Sequence, residues 1–333
     1  MRTFLKVIAA LVAVLVLLLL TVWGVRTYNI NHYAFPGPDV TDRTQALSHG
    51  GAAVDGEYLR GIHYSPTTPD VARPGTVIVF GGSEGSAGDA QARQLAEHGH
   101  EVLALYFFGQ SGQQEYLSEV PLEFFREALD WVEQHQAHPG PLTVIGTSKG
   151  AELTANLAAR YPEIDHIVLY TPAEYTYAGL QFESQEQTSS FTWQGQPVPF
   201  AQFPFDPGMV ARTIIGLPVS YRANYEEAAR EALEQARIDI SSFAGDGLLF
   251  AGDADAMWQG DVAARALAAQ NPRLEPHIFP AAGHLFSTDI TEYGNSWETM
   301  LGGTPEANRH AKEESDRLLL ASLERWHAVP SGS

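Results

Sequence analysis

Between residues 76 and 279 the chain repeats one pattern: a short apolar run, a turn, then a stretch with helical spacing. The runs are Thr76–Phe80, Glu101–Phe108, Leu142–Ile145, His166–Tyr170, Gly247–Ala251 and Pro276–Phe279. Helical stretches follow at about Ala90–His98, Leu122–His135 and Ala151–Arg160, and the chain ends in an amphipathic stretch, Glu306–His327. In the second of these, Phe125, Leu129 and Val132 recur at helical spacing. Strand and helix in alternation predict an α/β fold, a mostly parallel central sheet with helices on both faces. No internal repeat interrupts residues 50–330.

The amino-terminal segment is of another kind. Val7–Val25 is almost wholly apolar, and as a helix it spans about 28 Å, close to the hydrocarbon core of a bilayer. It is apolar on every face, which argues against a helix buried in a soluble core. Its length favours a retained single-pass transmembrane helix within residues 1–28. A cleaved secretory signal is the alternative, although no clear small-x-small site follows the run. Arg2 and Lys6 precede it and Arg26 follows, which predicts a cytoplasmic amino terminus and an extracytoplasmic folded domain. Trp23 fits an interfacial anchor. Asn29–Gly50, polar and containing Pro36 and Pro38, reads as a linker, and residues 51–330 as the folded domain.

Composition removes several classes of function. The formal charge of −20 disfavours nucleic acid and anionic membrane as partners and keeps the protein soluble. The chain has no cysteine, so disulfides, thiolate metal sites and cysteine nucleophiles are excluded. No HExxH or comparable spacing occurs, and neither a catalytic metal nor another cofactor is predicted.

The pattern G-x-S-x-G marks a nucleophile elbow, a tight strand-to-helix turn that exposes a serine hydroxyl above a sheet. It occurs twice, at Gly81–Gly85 and at Gly146–Gly150. Strand order separates the two copies. Ser148 has apolar runs before and after it, as a mid-sheet elbow requires. Ser83 follows the first clear run, where an α/β-hydrolase fold places its oxyanion loop. Ser148 is therefore the expected nucleophile, and the backbone N–H groups of Ser83 and Lys149 the expected oxyanion donors. A glycine turn without catalytic part is the alternative for the Ser83 loop. The acid should follow the fifth run, where Asp255 is the first choice and Asp253 the second. The base should follow the sixth, where His284 stands directly after Ala281-Ala282-Gly283. Of the twelve histidines, most read as surface residues; His98 and His100 flank a helix-ending glycine and read as a turn. Ser148 needs a base to act at neutral pH; His284 would take its proton and Asp255 would hold the imidazole in place.

Residues 172–240 form a long excursion between the fourth and fifth runs. Its first part carries Tyr175, Tyr177, Phe182, Phe191, Trp193, Phe200, Phe203 and Phe205; its second, Asn224–Arg237, reads as an exposed helix. Long excursions within compact folds commonly carry function. The aromatics either cover the site as an inserted cap or pack the insertion itself.

At these residues the sequence resembles the C-terminal domain of acyl-CoA thioester hydrolases and bile acid-CoA:amino acid N-acyltransferases (BAAT). The resemblance runs from about Gly75 to Trp326. It is carried by the segments GGSEGS, YLSEVPLEFFREALDWV, IGTSKGAEL, WQGQPVPFAQFPFDP, GDADAMW, AAGH and LGGTPEANRHAKEESDRLL. It implies an α/β-hydrolase fold, an acyl-enzyme on Ser148 with His284 and Asp255, and a small acyl ester or thioester as substrate. Animal members carry a β-sandwich domain ahead of the hydrolase domain, for which the stretch before Gly75 is too short. Transferases of the family use a cysteine nucleophile, so the resemblance favours hydrolysis by this chain; transfer by the same triad, or carboxylester hydrolysis on substrates without CoA, are the alternatives.

Overall fold

A computed structural model describes residues 2–36, 43–67, 73–181 and 186–328; Pro38 and Phe182 lie outside these. The strands, in chain order, are β1 (Ala52–Asp55), β2 (Arg60–Tyr64), β3 (Thr76–Phe80), β4 (Glu101–Tyr106), β5 (Val120–Pro121), β6 (Leu142–Thr147), β7 (His166–Tyr170), β8 (Phe191–Trp193), β9 (Gln196–Pro197), β10 (Asp246–Gly252) and β11 (Leu274–Phe279). Eight of them build one sheet in the order β1-β2-β4-β3-β6-β7-β10-β11. The apolar runs are its parallel strands. β1 and β2 add an antiparallel edge that the run pattern does not reveal. Pro276, which has no N–H to give, sits in the edge strand β11.

The helices are α1 (Arg2–His32), α2 (Arg43–Ser48), α3 (Asp89–Glu97), α4 (Phe124–His135), α5 (Lys149–Ala158), α6 (Pro207–Ile214), α7 (Arg222–Glu231), α8 (Gly260–Gln270), α9 (Trp297–Met300) and α10 (Pro305–Trp326). Alternate strand residues feed two cores. Ile78, Phe80, Leu103 and Val144 pack with α4, α5 and α8, whereas Val77, Val79, Val102 and Ile145 pack with α3 and α10. This is the three-layer arrangement expected of an α/β-hydrolase. Local chemistry sets the helix limits. Gly99 at φ +90° ends α3 in the left-handed conformation. Thr304 accepts the Ala307 N–H at the start of α10, with Pro305 in its first turn.

The excursion splits into parts. Phe191 and Trp193 join the main core, and β8 pairs with β5 and β9 in a small separate sheet. Tyr175, Tyr177, Tyr225 and Trp258 form a satellite aromatic cluster. α7 ends at Glu231 and buries Asn224, Tyr225 and Ala228, so the second part of the excursion is not uniformly exposed. α1 continues past the apolar run to His32, and α2 occupies Arg43–Ser48, so the segment read as a linker is helical at both described ends. The one described helix long and apolar enough to cross a membrane is α1.

The last helix is pinned at the starts of the central strands β3 and β6, the end of the sheet opposite the one that bears Ser148. His327 donates from Nδ1 to Pro74 O at 2.9 Å and accepts at Nε2 from the Thr143 hydroxyl at 2.8 Å. Its ring meets His100 edge to face at 5.3 Å. His100 directly follows the turn that ends α3, as its place after Gly99 suggests, and its side chain is buried. Burial pushes His100 down to about 3 and His327 down to about 4, from an ordinary 6.5. Below pH 6.5 the unfolded chain binds protons that the folded chain refuses, so stability complete above pH 6.5 drains as the pH falls toward 4. Denaturation followed from pH 7 to pH 4 should show a loss of several kcal/mol from this pair. The loss should be smaller in His100→Leu; an acid limb unchanged by that substitution would refute the assignment.

Candidate active site

β6 delivers Ser148 into an unusual backbone conformation, φ +56° and ψ −119°. Such a conformation costs about 1–3 kcal/mol for a residue with a side chain and persists only where its surroundings fix it. The flanking glycines show what fixes it. A Cβ on Gly146 would lie 2.1 Å from the Gly150 carbonyl oxygen, and one on Gly150 would lie 2.0 Å from that of Gly81. The elbow and the turn after β3 therefore touch backbone to backbone. The Ser148 N–H donates to Tyr170 O at 2.9 Å, which ties the elbow to β7.

The expected partners converge on this serine. His284 Nε2 lies 2.9 Å from Ser148 Oγ, and its Nδ1 lies 2.8 Å from Asp255 Oδ2. With Nδ1–H donating to the Asp255 carboxylate, Nε2 is left to accept from the serine hydroxyl. Asp255 Oδ1 accepts the N–H groups of Met257 at 2.7 Å and Trp258 at 3.1 Å. All three side chains belong to buried residues. Asp253 is elsewhere: it is exposed and accepts the Ala281 N–H at 2.7 Å.

A Cβ on Gly82 would lie 3.3 Å from Ser148 Cβ, so the turn that carries Ser83 runs beside the serine, and Lys149 follows it directly in the chain. The Gly82 N–H is taken by Glu84 Oε1 at 2.9 Å. The N–H groups of Ser83 and Lys149 have no acceptor among the described residues.

Several residues around the triad have no role in the G-x-S-x-G pattern or its expected partners. Leu301, Gly302 and Gly303 lace the acid and base loops together. Leu301 O accepts the His284 N–H at 2.7 Å and the Ala256 N–H at 3.2 Å. Gly302 pairs with Asp255, and a Cβ on it would lie 2.1 Å from Ala254 O. Asn308 on α10 accepts the Gly283 N–H at 2.7 Å. Two adjacent glycines just before a capped helix are the trace these contacts leave in the sequence. Trp258 packs edge-on to His284, with ring centroids 5.7 Å apart.

The Lys149 side chain turns away from the serine into the protein. Its Nζ donates to Glu152 Oε2 at 2.8 Å and to Ser190 Oγ at 2.9 Å, and Glu152 Oε1 accepts the Tyr177 N–H at 3.0 Å. Burial pushes Lys149 down and Glu152 up, each toward neutrality, and their mutual attraction opposes both shifts. The pair joins the first turn of α5 to the excursion. Above the serine lies a cavity of about 920 Å³, lined by Phe203, Met209, Tyr225, Trp258 and Phe286 together with Ser148 and His284.

Removing one buried charge strands the other. Glu152→Leu should lower the unfolding free energy by about 3–5 kcal/mol, whereas Lys149→Met with Glu152→Leu should recover most of it. Urea denaturation of the three proteins measures this, and equal losses in single and double variants would contradict it.

Comparison with known proteins places this geometry in a family. Residues 120–315 match the family model described as BAAT / acyl-CoA thioester hydrolase C terminal. Human acyl-coenzyme A thioesterase 6 is 39% identical over 97 residues, covering 29% of this chain and 23% of that protein. Mouse acyl-coenzyme A amino acid N-acyltransferase 1 is 27% identical over 277 residues, covering 78% of this chain and 61% of that protein. The chain thus spans less than two thirds of the length of these curated relatives. Among solved structures, carboxyl esterase 2 of Tuber melanosporum aligns at a TM-score of 0.51 and 14% identity, covering 89% of this chain and 94% of that one. An esterase of Pyrococcus furiosus aligns at 0.50 and 15%, covering 89% and 100%. These likenesses show an α/β-hydrolase fold, and the family match, over more than half of the sequence, shows that the chain belongs to the BAAT / acyl-CoA thioester hydrolase C-terminal family.

Proposed function

We propose that this chain is a serine hydrolase that cleaves an ester or thioester of an apolar acyl group. The observation that carries the reading is the hydrogen-bonded line Ser148–His284–Asp255 at the floor of an apolar cavity. Ser148 Oγ attacks the acyl carbonyl while His284 Nε2 takes its proton. The tetrahedral oxygen receives the N–H groups of Ser83 and Lys149. Collapse breaks the bond to the leaving alcohol or thiol, which takes the proton from His284. Water, deprotonated by the same imidazole, then frees the acid and restores the serine. Asp255 holds the imidazole tautomer and offsets its transient charge.

The curated relatives include thioesterases and an N-acyltransferase by name. Their acyl-coenzyme A substrates define the acyl thioester as the first class to test here. Transfer differs from hydrolysis only in what resolves the acyl-enzyme, so added amine or alcohol acceptors decide between them. We further propose that α1 is retained as a single-pass anchor, with the amino terminus cytoplasmic and residues 51–330 outside, on the basis of Arg2 and Lys6 ahead of the apolar run.

A fluorophosphonate probe should label the parent protein and fail to label Ser148→Ala; persistent labelling would place the nucleophile elsewhere. Asp255→Asn should lower kcat by about 10⁴-fold with the fold intact, as read by ester turnover and circular dichroism. Alkaline phosphatase fused to the carboxyl terminus should be active in cells, and a silent fusion would put the domain in the cytoplasm.

A further inference from the structure

α1 does not stand clear of the folded body. Arg26 Nη1 donates to the carbonyl oxygens of Thr213 and Ile214 at 2.6 and 3.1 Å, and Asn29 Nδ2 to that of Ile215 at 2.8 Å. These carbonyls lie at the carboxyl end of α6, where a cation is favoured; Ile214 and Ile215 O have no backbone donor among the described residues, and Thr213 O also accepts the Gly216 N–H at 3.1 Å. Farther along, Asn295 Nδ2 donates to His32 O at 2.9 Å, and the Phe35 ring stacks on Tyr293. Arg26 is the first charge after the apolar run Val7–Val25. The end of α6 is therefore held at the level where the span meets water.

The surface of α6 suits that level. Six large apolar side chains of the described residues are exposed outside α1: Leu47, Phe205, Val210, Ile214, Leu233 and Val262. Three of these lie between Phe205 and Ile214, with Phe205 81% and Ile214 53% exposed, and α6 has no buried residue. In a chain of net charge −20, α6 carries Arg212 and no carboxylate, and the acid just before it, Asp206, is engaged as its N-cap by the Gly208 and Met209 N–H groups. An exposed apolar face beside a cation is the composition of a helix lying in a headgroup layer. The same stretch borders the site: Phe205, Met209 and Val210 line the cavity above Ser148, as does Phe35, just past α1.

We propose that Phe205 and α6 form a second contact with the bilayer that holds α1, and that the Ser148 cavity draws its substrate from that bilayer. The substrate class is then a membrane-partitioned acyl ester or thioester whose chain enters past Phe205 and Met209. This rests on the hydrolase and anchor readings above, and deepens both.

The absence of cysteine makes single labels unambiguous. Full-length Phe205→Cys, Ile214→Cys and Asp246→Cys proteins, each carrying an environment-sensitive fluorophore, are reconstituted in phosphatidylcholine vesicles. Asp246 begins β10, at the end of the strands away from Ser148, and is exposed. Labels at 205 and 214 should shift to the blue and be quenched several-fold by nitroxide lipids, while the label at 246 should not. If all three behave alike in protein that resists carbonate extraction, the contact is wrong and the anchor stands. Ile214→Asp lies outside the cavity lining. It should hydrolyse a water-soluble short-chain ester within twofold of the parent and a long-chain ester embedded in vesicles at least tenfold more slowly. Parent-like rates on both substrates, or equal losses on both, would overturn supply from the bilayer. Quenched labels in a protein that turns over neither substrate would support the contact and overturn the hydrolase reading.

Discussion

The site depends on one steric constraint: five turns, in two groups, approach one another closer than a side chain allows. Gly150 meets the carbonyl of Gly81, and Gly146 meets that of Gly150, on the nucleophile side. On the other side a Cβ on Gly252 would lie 2.2 Å from Ala282 O, and one on Gly283 would lie 2.2 Å from Gly302 O. Backbone packed on backbone leaves little freedom, which is how a serine at φ +56° is held without a ligand. The same closeness sets the acid and base loops within hydrogen-bond reach of it. Residues far apart in the chain thereby act as one rigid block.

Around that block the excursion is fastened unevenly. Tyr177 and Ser190 are tied to α5 through the buried Lys149–Glu152 pair, and the tyrosine also packs in an aromatic cluster with Trp258. A buried ion pair adds little net stability over an apolar pair of the same size, but it penalises any arrangement that separates its members. Its contribution here is to fix position. Trp258 touches both the cluster and His284, so the base of the excursion and the imidazole share a wall. α6, by contrast, is joined to the rest mainly through exposed hydrogen bonds and its contact with α1.

Much of this was legible in the residues. The parallel strands announced themselves because each is buried on both faces and reads as an unbroken apolar run. Strand order then singled out Ser148 and pointed to Asp255 and His284 in turn. β1 left no such signal: Ala52–Asp55 buries only Val54, so its edge position erases the pattern. α8 was silent because its buried residues are glycine, alanine and a single leucine, which give helical periodicity no contrast. Asn29–Gly50 read as a linker for its polarity, yet those polar groups make specific bonds, as Asn29 does to Ile215. The Lys149 side chain was invisible as a core residue because a lysine is buried only when its partners come from distant sequence, here Ser190 beside the local Glu152.

That α6 has no buried residue bears on how this chain can change over time. Substitutions there create no cavity and strand no buried charge, so their cost in stability is small. Yet its residues Met209 and Val210, with Phe205 ahead of it, shape one wall of the space above the serine. That wall and the glycine-packed turns around Ser148 therefore lie in separate parts of the molecule. Selection can drift the first across many sequences while the glycines that hold the second stay fixed by steric necessity.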